Sequence, residues 1–164
     1  MLGNGEEGGG DTEKTLCSDM SAIPFTDREL KRAWRDLSSV ATSLLLTDRS
    51  NPHRLLLFYA VECGLKAVWL KRQSRSLFRG EDISSKGHDL RQILKDLRVG
   101  SDLALPEYFQ LPDVTDNSAT IPRKGKFGEL HQVWRYGGSC SSPTDKDCEL
   151  KLENVLTWIQ GELR

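Results

Sequence analysis

The chain has 164 residues, a length that fits one domain, since a single core usually serves about 100 to 200 residues. Hydrophobic residues at 37% and charged residues at 29% exclude a disordered or fibrous chain. Twenty-three basic residues against twenty-four acidic ones leave a net charge of -1, so no overall field draws in nucleic acid or anionic membrane, and any such binding needs a local patch.

Residues 1–22 are acidic and glycine-rich with few large apolar side chains, which predicts a disordered tail ahead of a domain at 23–164. The tail has no apolar stretch of its own, so the expectation is a cytoplasmic protein without a secretory signal. Its GNGEEGGG run lacks the flanking strand, helix and Lys-Ser or Lys-Thr pair of a phosphate loop. The most apolar segment, residues 55–70, carries Tyr59, Glu62 and Lys66 and falls short of the roughly 20 apolar residues of a spanning helix, so no membrane partner is expected. Cys17, Cys63, Cys140 and Cys148 show no zinc spacing and read as reduced thiols.

The first helix is announced by Phe25-Thr26-Asp27-Arg28-Glu29-Leu30. Thr26 caps, Glu29 closes the capping box and Phe25 is placed to staple onto Leu30. Leu30, Ala33, Trp34, Leu37, Val40, Ala41 and Leu44 then recur on one face, predicting a helix to about Leu45. A second helix opens at Asn51-Pro52 and is apolar almost all round, which makes it the expected centre of the fold. Glu62 stands four residues ahead of Lys66, in the favourable order for an ion pair, and Gly64 allows a neighbour to come close. A polar linker at 73–87 leads to a third helix from His88 to Leu97, ended by Gly100. Pro106, Pro112, Pro122 and Gly125 mark 101–128 as a long irregular loop, with a helical turn near 107–110 and the character of a lid or contact arm. A short helix at 129–136 stops at Gly137-Gly138. Ser142-Pro143-Thr144-Asp145 then starts a closing helix whose Leu152, Val155, Leu156, Ile159 and Leu163 share a face, with Trp158 at its border. No segment alternates as a half-buried strand does, so the expected class is all-α: an up-and-down bundle of four to five helices with a long loop before the last ones.

Three segments resemble the HEPN family of helical bundles. Tyr59-Ala60-Val61-Glu62-Cys63-Gly64-Leu65-Lys66-Ala67 is similar to its central helix, Gly87-His88-Asp89-Leu90 to its His-Asp-Leu helix start, and Arg135-Tyr136 to its late Arg-Tyr pair. The resemblance implies a dimeric or partner-bound protein of a prokaryotic defence, toxin-antitoxin or nucleotide-signalling system. RNA-cleaving members carry an Arg and a His separated by four to six residues. Here Arg49 and His53 have three residues between them, Arg79 and His88 eight, and Arg123 and His131 seven, so that motif is absent. His131 with Arg135, four residues on, restores both residue types in reversed order on one helical face.

Each candidate carries two readings. His88, at a helix N-terminus, is expected to be neutral, and either meets a ligand or fixes the start of its helix. Arg135 and Tyr136 offer a guanidinium fork for phosphate and a ring for a base, or else Arg135 bridges to Glu62 and Tyr136 packs under the loop. The basic runs Lys71, Arg72, Arg75, Arg79 and Arg123, Lys124, Lys126 are phosphate contacts or solvated faces. No catalytic-triad, zinc, di-iron or dinucleotide pattern is present, so neither metal nor cofactor is expected. The preferred expectation is a non-catalytic binding module using Glu62, Lys66, His88, Arg135 and Tyr136. It would act as a homodimer or with a partner protein, and with nucleotide or RNA as ligand. The alternative is a metal-independent ribonuclease or nucleotide-modifying enzyme working through His131, Arg135 and His88.

Overall fold

The computed structural model describes residues 23–84 and 88–164. The expected tail with Cys17, and Gly87 of the His88 segment, lie outside the described residues. The elements run β1 (Phe25–Thr26), α1 (Asp27–Ala41), α2 (Asn51–Arg72), β2 (Leu77–Phe78), α3 (Gly80–Ser84), α4 (Leu90–Asp96), β3 (Tyr108–Asp116), β4 (Ala119–Lys126), α5 (Leu130–Arg135) and α6 (Asp145–Glu162), with short 3-10 turns at Leu46–Asp48, Ser101–Leu103 and Phe127–Glu129.

The core forms around α2, as its nearly continuous apolar surface requires. Leu57, Phe58, Val61, Leu65 and Val68 are sealed from solvent and pack with Leu90 and Ile93 of α4, Leu130 and Trp134 of α5, and Leu152, Val155 and Ile159 of α6. Gly64 is where neighbours come closest: a Cβ there would lie 2.7 Å from Ile159 Cγ2 and 2.9 Å from Trp34 Cδ1. Ion pairs tie α6 to α2 and to the turn before α2, Arg54 to the fully buried Glu149 at 3.3 Å and Arg49 to Glu153 at 2.6 Å.

The helix starts follow their caps. Thr26 Oγ1 accepts from the Glu29 amide while the Glu29 carboxylate accepts from the Thr26 amide, and Thr144 and Asp147 repeat the arrangement on α6. Helix α1 is shorter than its periodicity suggested. It stops at Ala41, where Thr42 and Ser43 turn their hydroxyls back to the Ser38 and Val40 carbonyls, leaving Val40 and Leu44 exposed instead of continuing the apolar stripe.

The all-α expectation is wrong. Two antiparallel ribbons accompany the helices, β1 with β2 and β3 with β4. The first is short and sits within segments read as a staple and a linker: Phe25 pairs with Phe78 and Thr26 with Leu77. The second occupies the stretch assigned to an irregular loop. Its register pairs Tyr108 with Lys126, Phe109 with Gly125, Gln110 with Lys124 and Leu111 with Arg123, then shifts at a bulge before Val114 pairs with Ile121. The turn uses Asn117 and Ser118, both at positive φ (47° and 68°), the left-handed pair that suits a tight hairpin. Residues 107–110, expected as a helical turn, instead lead into β3. Phe109 of this ribbon is buried in the core with Leu111 half-buried against it, and Gly125 opposite Phe109 is required because a Cβ would sit 2.6 Å from its ring. Among the described residues no helix is long and apolar enough to cross a membrane.

Candidate functional site

Four of the sequence-selected residues gather on one side of α2. Glu62 is buried, and its two oxygens are divided between partners. Oε1 takes Lys66 one turn on, and Oε2 takes Nδ1 of His88 at 2.8 Å. Burial alone would raise the Glu62 pKa, but the bond from His88 and the charge of Lys66 outweigh it and hold the carboxyl below its usual value. His88 responds in the opposite sense. The bond to Glu62 raises its pKa against the smaller opposing effects of partial burial and of the Lys66 and Arg135 charges. The direction of this shift is opposite to the one expected from a helix N-terminus. Helix α4 begins at Leu90, two residues beyond His88, with Asp89 as its cap, and Glu62 is the largest influence on the ring.

His131, on α5, lies beside it, the ring centroids 4.8 Å apart. It is buried against Phe58 and Tyr59, at 5.2 and 6.1 Å between centroids, and its Nδ1 donates to the Gly128 carbonyl at 2.9 Å. Burial lowers its pKa, and the His88 and Arg135 charges add to the effect. Because a carbonyl can only accept, this bond fixes the Nδ1–H tautomer and leaves Nε2 with the lone pair. The two rings thus stand side by side biased in opposite directions, His88 toward the cation and His131 toward the neutral base.

A cleft of about 320 Å³ opens at this pair, lined by His88, Asp89, Lys126, Gly128, Glu129, His131 and Gln132. Gly128 is needed for the wall to close: a Cβ there would meet the His88 carbonyl oxygen at 3.2 Å and Asp89 Cα at 3.3 Å. Arg135 approaches from the end of α5, its guanidinium donating to the Tyr59 hydroxyl, and its charge reaches both histidines. The alternative of an Arg135 bridge to Glu62 is not what forms, since Glu62 is already held by Lys66 and His88. Tyr136 is 78% exposed and is not packed beneath the ribbon.

Lys66 belongs to the opposite side of Glu62. Its ammonium lies 5.4 Å from the Phe78 ring centroid, and it borders an apolar hollow with Phe25, Leu30 and Cys63. It serves as counter-charge to Glu62 at that hollow, not as a wall of the histidine cleft. The Cys63 thiol there is pushed up to about 11, mainly by burial, and is unreactive near neutrality. Cys140 and Cys148 are free thiols in the core. Among the described residues no three His, Cys, Asp or Glu side chains gather as a metal ion requires.

Sequence reasoning singled out Glu62, His88, His131 and Arg135 but did not bring Lys126, Gly128, Glu129 or Gln132 to the same cleft. Only Lys126 carried a signal, as the last residue of a basic run. The comparisons with known proteins add no relative: no family model matches the chain, and no curated protein or solved structure matches it. The resemblance to HEPN bundles is accordingly not supported, since the architecture is mixed helix and ribbon and no family match accompanies it.

Proposed function

We propose that the protein binds RNA or a nucleotide-like phosphodiester in the His88–His131 cleft and cleaves it by general acid–base catalysis. The observation that carries this reading is the pairing of two adjacent imidazoles pushed in opposite directions, one by a buried carboxylate and one by burial. Such separation of two neighbouring titrations is how one site supplies an acid and a base at the same pH.

The roles follow from which nitrogens are already committed. Nδ1 of His131 is held by Gly128 and Nδ1 of His88 by Glu62, so Nε2 of each is the working atom. Nε2 of His131 takes the proton of a ribose 2'-hydroxyl as its oxygen forms a bond to phosphorus. The bond from phosphorus to the 5'-oxygen breaks with its electron pair on that oxygen, and Nε2 of His88 delivers the proton to it. The products are a 2',3'-cyclic phosphate and a 5'-hydroxyl, and no further reactant enters. Arg135 and Lys126 supply positive charge for the phosphate oxygens. Glu62 is a positioning residue that orients His88 and favours its protonated form.

The test is incubation of a short single-stranded RNA with the wild type, His88→Ala and His131→Ala, with product ends read by mass spectrometry. Cyclic-phosphate ends and a loss of about a hundredfold or more in rate for each variant are expected, within the usual worth of a positioned acid or base. Equal decay with all three proteins would refute catalysis by this pair.

A further inference from the structure

The cleft is not an isolated hole. A second hollow of about 360 Å³ lies along the root of the β3–β4 ribbon, lined by Phe109, Leu111, Pro122, Arg123, Lys124, Gly125, Glu129, Gln132 and Val133. The two hollows share Glu129 and Gln132 as walls, but the ribbon residues Phe109, Leu111, Arg123 and Gly125 that line the second belong to the core-facing side of the ribbon.

The opposite face of the ribbon is the one that continues from the histidine cleft, through Lys126. Opposite Tyr108 stands Lys126, and opposite Gln110 stands Lys124, so by alternation all four side chains share one face. Lys124 Nζ lies 4.2 Å from the Tyr108 ring centroid, which keeps the cation and the 41% exposed ring together on that face. Lys126 reaches the catalytic cleft from the same face. Arg123, on the alternate face, is anchored by its Nε to the Pro112 carbonyl at 2.9 Å. The acidic residues of the ribbon, Asp113 and Asp116, lie beyond Leu111 toward the tip, so positive charge and the aromatic ring are concentrated at the half nearest the histidines. Cations spaced along an extended surface with an exposed ring between them are the elements of a single-strand binding track.

From the shared face of Lys126, Lys124 and Tyr108 we infer that the root of the β3–β4 ribbon is a binding track for single-stranded RNA, seating the phosphates beyond the scissile one on Lys126 and Lys124 and stacking a base on Tyr108. The inference rests on the phosphodiester reading of the cleft and names its substrate as a polymer, not a mononucleotide. Acidic proteins would satisfy the lysines but leave the aromatic face without a partner, so the ring favours nucleic acid.

Binding can be measured apart from cleavage with a 2'-O-methyl oligonucleotide of about ten nucleotides, which keeps phosphates and bases but has no 2'-hydroxyl to attack. Fluorescence anisotropy of the full chain is expected to show Lys124→Glu binding about tenfold more weakly, with a shallower dependence on salt. Tyr108→Ala should lose about fivefold, the lower end of what one stacked base contributes. Both positions are exposed, and circular dichroism checks that each variant is folded. Unchanged affinity in both folded variants would overturn the track, as would competition by polyglutamate as effective as that by unlabelled RNA. Failure of the cleavage reading shows elsewhere, as histidine variants that degrade RNA like the wild type.

Discussion

Helix α2 and the β3–β4 ribbon are two ways of using side chains in one small chain. Between Leu57 and Leu70 of α2 most side chains are buried, so the two charged residues of that stretch, Glu62 and Lys66, persist only by pairing and by drawing in His88. The ribbon commits Phe109, with Leu111 packed half-buried beside it, to the core and leaves nearly all the rest at the surface. Burial turns a carboxylate into a device that sets the protonation of a neighbour. Exposure leaves lysines and a tyrosine available to a partner. The cleft lies where the two regimes meet, with Glu62 acting from below and Lys126 reaching in from the side.

The contrast is broken most strongly at its buried end. Phe58→Ala empties a fully buried site against His131 and Tyr59 and is expected to cost about 3–5 kcal/mol in urea unfolding, whereas Ile121→Ala on the exposed ribbon should stay within about 0.5 kcal/mol. Similar losses at both positions would mean that the ribbon is as integral to stability as the core. A smaller effect, about 1–3 kcal/mol, is expected for Gly64→Ala, because the added methyl must displace Ile159 and Trp34. Thermal unfolding unchanged by this substitution would show that the helices separate without cost.

The finest test concerns proton placement. With His131 as base and His88 as acid, the rate should fall at low pH as His131 is protonated, below the ordinary histidine value of 6.5, and at high pH as His88 is deprotonated, above it. Glu62→Gln removes the charge that raises His88, so the alkaline limb should move to lower pH and narrow the plateau. A pH–rate profile whose alkaline limb stays in place would remove Glu62 from this role.

Local signals explain what could be read before the coordinates. The cap at Thr26, the capping-box start at Ser142–Asp145 and the apolar surface of α2 are short-range features, and helices follow them, although α6 takes Thr144 with Asp147 as its box, two residues later than the Ser142–Asp145 spacing suggested. The Glu62–Lys66 pair is likewise one helical turn. The long ribbon was illegible for physical reasons. Solvent covers most of both faces, so no alternation marks it, while Pro112, Pro122 and Gly125 carry the usual signals of a loop. Its turn is formed by Asn117-Ser118 in place of the Asn-Gly that announces a hairpin. The upward bias on His88 was hidden because it depends on a carboxylate 26 positions away, and the closeness of His88 to His131 depends on how α4 and α5 pack. A HEPN-like assignment followed from sharing such short segments, which do not specify the ribbons between them.

The contact between the Phe109 ring and Gly125 governs which changes of length the chain tolerates. Shifting one strand by a single residue below that contact would invert the faces of the ribbon and carry Lys124 and Lys126 to the other side. Additions at Asn117-Ser118 leave the pairing of the root untouched. The tip is therefore where an insertion or a grafted peptide can be accepted, and the segment between Tyr108 and Leu111 is where even one extra residue would separate Tyr108 from the face of Lys124 and Lys126.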